Sequence, residues 1–351
     1  MDRRELLMIL NGLAIGALLP ASASSAERLL PKIGVIAVGR LSELIFDSDN
    51  NHVPVSMRSI AIDTDVDSLH RTAAHRKILV NRGSSALGNP EATVLQAKRT
   101  LTEIADAVAG LDLAILVVGL GGAAGTTIAP VVAGALKSQN ILTLAVPTFP
   151  FAFEGEERQQ RALSGFRQLQ QHADSLLPLF NTDIETDARG KTSRTGLRAS
   201  APLTIVQLCR SLEAALSGKN LIEVGMDDLR SLTLAQRGMC AFGYGYGAGA
   251  DGAMAAARHA VTHPLLGHTR LQTASTVPIG IECAPQPGLL KSVGSITEYV
   301  LDQMPAGRHG IYSVTTTASL DTRFSVSILA SGIDCPVTAD RVPTTQVPTT
   351  T

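Results

Sequence analysis

Apolar and polar positions divide the first half of the chain into two kinds of run. Ile33–Val38 (IGVIAV), Leu113–Val118 (LAILVV) and Ile141–Val146 (ILTLAV) are nearly unbroken apolar stretches, and Ser59–Ile62 is a shorter one. Short apolar runs of this kind suit strands buried on both faces of a parallel sheet. Between them the period lengthens. Asn89–Ala109 carries Thr93/Leu95, Leu101, Ile104, Ala105 and Val108 as a partial apolar stripe, and Glu156–Leu176 sets Leu163, Phe166 and Leu169/Gln170 near one face. Both spacings predict helices. Alternating strands and helices imply an α/β fold, a doubly wound parallel sheet that binds its ligand beyond the strand C-termini.

The second half reads differently. Ile205–Leu216 (IVQLCRSLEAAL) predicts an amphipathic helix ending near Ser217-Gly218, and Thr276–Cys283, Ile311–Thr317 and Phe324–Ala330 predict strands of a mixed sheet. Gly243–Gly252 (GYGYGAGADG) is Gly-rich enough to read as a mobile loop, and the alternative, a second phosphate loop, lacks a preceding strand. At the start, Arg3 and Arg4 precede an apolar run from Leu6 to Leu19, followed by Pro20 and Ala21-Ser22-Ala23. That order fits an export signal of twin-arginine type, and it equally fits an added amphipathic or membrane-touching helix or a poorly ordered extension. Val337–Thr351 repeats Val-Pro-Thr-Thr without apolar periodicity and reads as a disordered tail.

Composition narrows the function. The 351 residues are 45% hydrophobic and 17% charged, which suits sizeable cores rather than disorder. A net charge of −1, 3% aromatics and no Trp argue against a nucleic-acid partner. The four cysteines (Cys209, Cys240, Cys283, Cys335) are far apart and read as buried free thiols, and no residue pattern points to a protein metal site.

The segment with the most chemistry is Val117–Gly134, VVGLGGAAGTTIAPVVAG. An apolar strand runs into a turn with glycines at 119, 121, 122 and 125, and a helix is expected to open at Thr126 or Thr127. Glycines let backbone N–H groups approach an anion closely, and the following helix start adds unpaired N–H groups and a positive dipole end. The same glycines also suit a tight structural turn.

Three motifs in order carry a family resemblance: SIAIDTD at 59–65, GLGGAAGTTIAPVV at 119–132, and TLAVPTFPFAFEGEER within 143–181. Together they resemble the bacterial cell-division protein family FtsZ, of the tubulin superfamily, over roughly Lys32 to Gly332. In that family the phosphate loop reads GGGTGTG before AAPVV, a later segment reads PFxFEGxxR, and an early strand ends in NTD. The resemblance implies a Rossmann-like GTPase domain, a long central helix and a smaller α+β C-terminal domain. The expected division is an N-terminal extension or signal-like segment at 1–31, a nucleotide-binding domain at 32–202, the central helix and catalytic-loop region at 203–241, the C-terminal domain at 242–332 and the tail at 333–351.

It further implies a GTP/GDP site, with Mg as an accompanying cation, built from Gly39, Gly121, Gly122, Gly125, Thr126, Thr127, Glu154, Arg158 and Asn181. Glu154 and Arg158 would hold ribose and base edge, and Asn181 would contact guanine or ribose. The alternative for Glu154, Gly155 and Arg158 is capping of the helix that starts there. Four departures point to an eroded site, one of them Asp63 in place of the family's asparagine, which adds a negative charge near the phosphates. Ala123-Ala124 replace Gly-Thr, and the glycine run after the first strand is reduced to Gly39, followed by Arg40-Leu41-Ser42-Glu43. Arg40 would supply charge there, with Glu43 opposing it. Leu203 stands where the family places the carboxylate that reads guanine.

The resemblance also implies catalytic acids in an NxDxxD loop. Here the stretch reads Glu223-Val-Gly-Met-Asp227-Asp228, so Asp228 keeps the second position and Gly225 replaces the first. Asp227 and Glu223 are neighbouring substitutes, and both Asp227 and Asp228 also suit the first turn of a helix over 228–238. Slow or absent GTP hydrolysis is the expectation. The role implied is head-to-tail self-association in cell division or a cytoskeleton, with FtsZ or divisome proteins as partners and membrane contact through the N-terminal segment. The tail shows no apolar–basic recruitment peptide, which weighs against ordinary divisome recruitment. The expected compartment is the cytoplasm; the alternatives are an active divergent GTPase and an exported binding protein on the same fold.

Overall fold

The computed structural model describes residues 30–47, 53–80, 90–181, 194–218, 220–222, 224–230, 238–266, 268–305, 309–317, 320, 323–335 and 337. The arginine-led apolar run, Glu223 and the Val-Pro-Thr-Thr repeats lie outside them. The described residues form two units, one over Lys32–Cys209 and one taking in Arg210–Gln236 and Cys240–Asp334.

In the first unit the chain runs β1 (Ile33–Val38), α1 (Leu41–Ile45), β2 (Arg58–Asp63), α2 (Val66–Arg71), β3 (Arg76–Leu79), α3 (Pro90–Arg99), α4 (Leu101–Val108), β4 (Leu113–Gly119) and α5 (Ala123–Ser138). It continues through β5 (Leu142–Phe149), a 3-10 turn at Ala152–Glu154, α6 (Glu156–Leu169), β6 (Ser175–Leu176) and β7 (Leu179–Phe180) into α7 (Arg194–Leu216). The strands lie in the order β3-β2-β1-β4-β5-β6, all parallel, with β7 also paired to β5. Chain order reverses between β1 and β4, the switch point of a doubly wound sheet, where a crevice opens at the strand C-termini. Val35–Val38 and Leu113–Val118 are wholly buried, as their unbroken apolar runs require.

Three departures from the predicted bounds have a visible cause or consequence in the chain here. The helix expected over Asn89–Ala109 is two, broken at Thr100, whose hydroxyl donates to Gln96 O (2.9 Å). A threonine that bonds the preceding turn competes with helix propagation. The helix expected to reach Leu176 stops at Leu169, and Asp174 then accepts from Thr143 N (2.8 Å), delivering the chain into β6. β5 runs past Val146 to Phe149. Pro147 falls where its pairing passes from β6 to β7, so the missing N–H disturbs no ladder.

The second unit contains β8 (Asn220–Ile222), a helical turn α8 (Met226–Asp228), β9 (Met239–Gly247, from Cys240 onward), α9 (Gly252–Val261), α10 (His268–Thr273), β10 (Thr276–Cys283), α11 (Leu289–Leu301), β11 (His309–Thr316) and β12 (Phe324–Ile333). β10 pairs parallel with β11 and antiparallel with β12, and β11 pairs antiparallel with β8. The glycine-rich segment expected to be a mobile loop is largely strand. Gly243, Gly245 and Gly247 recur at period two inside β9. A β-carbon at each would lie 2.4 Å from Ala260 O, 2.3 Å from Ala256 O and 2.0 Å from Gly252 O respectively. The missing side chains let the α9 backbone lie directly on the strand.

Candidate functional site

Four parallel strands end around one cleft of about 370 Å³. β1 delivers Gly39, Arg40 and Leu41; β2 delivers Asp63, Thr64 and Asp65; β4 delivers Gly119, Leu120 and Gly122; and β5 delivers Thr148, Phe149 and Pro150. Ala123, Ala124 and Gly125 from the first turn of α5 complete one wall, and Glu154, Arg158 and Asn181 line it further.

The glycine turn is tight for identifiable reasons. Gly121 has φ +87°, and a β-carbon there would also meet Arg158 Cγ at 2.7 Å. Its N–H donates to the Thr126 hydroxyl (2.9 Å), which closes the turn on itself. α5 therefore opens at Ala123, with Gly122 as N-cap, and not at Thr126 or Thr127 as the sequence suggests. Alanine is the strongest helix former, so Ala123-Ala124 extend the helix back to the glycines. The first intrahelical bond runs from Thr126 N to Gly122 O (3.2 Å), leaving the N–H groups of Ala123, Ala124 and Gly125 ahead of it. Such amides at a dipole's positive end fit an anion.

Of the nine residues expected to bind nucleotide, Gly39, Gly122, Gly125, Glu154, Arg158 and Asn181 line the cleft. Gly121, Thr126 and Thr127 are not in its lining. Thr126 is buried under the turn it closes, and Thr127 donates its hydroxyl to Ala123 O. Glu154 holds the chain turn and the cleft wall together: Oε1 accepts from Phe151 N (2.8 Å) and Oε2 pairs with Arg158 Nε (3.1 Å). A carboxylate has about four acceptor positions, so capping leaves capacity for a ligand hydroxyl. Leu203, on α7, is 53% exposed and is not part of the lining.

Two electrostatic features depend on contacts that the sequence does not show. Asp63 is buried and accepts from Ser68 Oγ (2.8 Å), Thr64 N (2.7 Å) and Asp65 N (3.3 Å). Burial pushes its pKa up, against those hydrogen bonds. Glu43 stays within electrostatic range of Arg40 but is bound chiefly by another partner. It accepts two hydrogen bonds from Arg71, 3.0 and 2.9 Å long, and that guanidinium holds its carboxyl below the ordinary range. The two residues are 28 positions apart, with no local pattern to announce the pair.

Asp227 and Asp228 lie in the second unit. Asp228 Oδ2 accepts from Gly225 N (2.9 Å), so it caps the α8 turn by bonding to the residue that stands in place of the first acid. Among the described residues no group of three or more His, Cys, Asp or Glu side chains is arranged to hold a metal ion, and no helix is long and apolar enough to cross a membrane.

Comparison with known proteins agrees with this arrangement. The profile of the Tubulin/FtsZ family, GTPase domain, matches residues 27–188. The cell division protein FtsZ of Azotobacter vinelandii is 31% identical over 283 residues, covering 78% of this chain and 70% of that protein. The chain belongs to the Tubulin/FtsZ family. FtsZ of Caulobacter vibrioides is 28% identical over 320 residues, which are 89% of this chain and 62% of the relative's length. This chain thus spans less than two thirds of that FtsZ. Among solved structures, an empty FtsZ dimer from M. jannaschii superposes with a TM-score of 0.77 at 25% identity, covering 93% of this chain and 92% of that one. A CetZ2 protofilament from Haloferax volcanii bound to GTPγS shares the fold, with a TM-score of 0.68 at 20% identity over 86% and 93% of the two chains.

Proposed function

We propose that this chain binds guanine nucleotide in the β1–β4 cleft, self-associates head to tail, and hydrolyses GTP slowly or not at all. The observation that carries the reading is the wall formed by the free first-turn amides of α5 beside the intact Glu154–Arg158 pair and Asn181. Amides and dipole take phosphate, Glu154 takes ribose hydroxyls, and Arg158 stacks on or borders the base. Magnesium would be held mainly through phosphate oxygens and water, with Asp63 and Asp65 as the carboxylates on that wall.

Erosion of the site is supported by two other positions. Leucine at 203 offers no acceptor for guanine's N1–H and amino group, which lowers discrimination against other purines. Asp228 is engaged in capping Gly225, and phosphoryl transfer depends on groups placed for the attacking water. Self-association is supported by the relatives described as a dimer and a protofilament. An exposed Phe153, 83% accessible and stacked on Phe151, supplies apolar surface one residue from the cleft lining. A heterologous contact of this type generates open filaments. Cell division or a cytoskeletal role follows from the kinship, with FtsZ itself and divisome proteins as further partners.

The test has three arms on one preparation: nucleotide binding by calorimetry, phosphate release against protein concentration, and light scattering with electron microscopy. Binding and GTP-dependent filaments with little phosphate release support the reading. Monodisperse protein under every nucleotide condition removes the assembly part, and brisk concentration-dependent turnover removes the claim of slow hydrolysis.

A further inference from the structure

The cleft wall carries three carboxylates, Asp63, Asp65 and Glu154, and two guanidinium groups, Arg40 and Arg158. Each carboxylate already accepts hydrogen bonds from its own chain. Asp63 accepts from Ser68, Thr64 and Asp65, Asp65 accepts from Asp67 N (3.0 Å), and Glu154 accepts from Phe151 N. Arg158 is paired with Glu154. The Arg40 side chain makes no hydrogen bond or ion pair with the described residues, and it lies within electrostatic range of Glu43. That neighbour is held by both hydrogen bonds from Arg71.

Backbone geometry places Arg40 beside the amides. Gly39 donates to Ile62 O (2.8 Å) and has φ +80°. The β-position of Gly39 lies 3.5 Å from Gly125 N and 3.8 Å from Ala124 Cβ. The chain thus reaches Arg40 from a glycine whose empty β-position borders the first turn of α5.

Resting on the nucleotide reading above, we infer that Arg40 is the residue that neutralises the outer phosphates of a nucleoside di- or triphosphate in this cleft. Arg71 acts as a positioning residue: by holding Glu43 it keeps the Arg40 guanidinium available to the ligand. A planar guanidinium offers paired donors to phosphate oxygens, and the α5 amides share the same anion. Affinity should therefore climb with phosphate count through Arg40.

The experiment measures binding of guanosine, GMP, GDP and GTP to the full chain by calorimetry at fixed ionic strength. It uses wild type, Arg40→Gln, Arg40→Lys, Arg71→Gln, and Arg71→Gln combined with Glu43→Gln. Circular dichroism melts report folding. Wild type should gain affinity from GMP to GTP, and Arg40→Gln should lose about ten-fold of that gain while leaving GMP unchanged. Arg40→Lys should keep part of it. Arg71→Gln should weaken GTP several-fold by freeing Glu43 to pair with Arg40, and adding Glu43→Gln should restore it. A wild-type climb that both Arg40→Gln and Arg71→Gln reproduce overturns this inference and leaves nucleotide binding standing. Wild type that binds none of the four ligands overturns both.

Discussion

A β-carbon built on Gly125 would lie 2.1 Å from the carbonyl oxygen of Gly119. The end of β4 and the first turn of α5 are therefore pressed backbone to backbone, and only glycine at 125 permits it. The glycine turn is a packing device as well as the proposed anion cradle.

Substitution separates the two roles. Gly125→Ala overpacks this contact and should cost about 1–3 kcal/mol of stability, together with nucleotide affinity. Gly122→Ala meets nothing within 4 Å at its β-position and has an ordinary φ of −85°. It should cost below about 1 kcal/mol, the scale of a weakened cap. Urea denaturation of both variants checks the contrast.

The lost acid can be put back. Gly225 is the N-cap of α8, a position that favours aspartate, so Gly225→Asp should fold and should raise GTP turnover above wild type. Asp228→Ala removes the acceptor for Gly225 N and should cost roughly 1 kcal/mol while leaving turnover at the wild-type level. Phosphate release above the assembly concentration reads both.

Phe153 offers a separate test of assembly. Phe153→Ser should lower the amount of polymer pelleted with GTP and leave calorimetric nucleotide affinity within two-fold, roughly the spread of a surface substitution. Equal pelleting by variant and wild type would take Phe153 out of the contact.

A pH effect should arise in the second unit. Burial, with Glu213 nearby, pushes the Glu282 carboxyl above its ordinary range, and Arg210 only partly offsets this; Tyr246 is also within electrostatic range. A carboxyl whose folded pKa is raised favours folding most below its unfolded value near 4.5, and that contribution is lost as pH rises through the folded value. Glu282→Gln removes the titration. The difference in Tm, variant minus wild type, should therefore grow between about pH 4 and pH 8. A constant difference would contradict the assignment.

Much of the fold was readable because buried parallel strands need apolar runs and little else. β1 and β10 match their predicted bounds, and β4 differs only by including Gly119. The misreadings came where tertiary contacts decide. Nothing local shows that the glycines of GYGYG face the backbone of α9, although their period of two is a strand spacing. The Thr100 break depends on a side-chain hydrogen bond, and the Glu43–Arg71 pair joins two helices. In the cleft, the motifs located the lining residues Gly122, Gly125, Glu154, Arg158 and Asn181. They did not foretell that Thr126 and Thr127 would bond inward.

The most direct check on the whole account is the nucleotide content of purified protein, released by denaturation and separated by chromatography. The account predicts guanine nucleotide, mostly GDP, present below one equivalent and rising after incubation with GTP. Protein that is empty as purified and stays empty at millimolar GTP would contradict it.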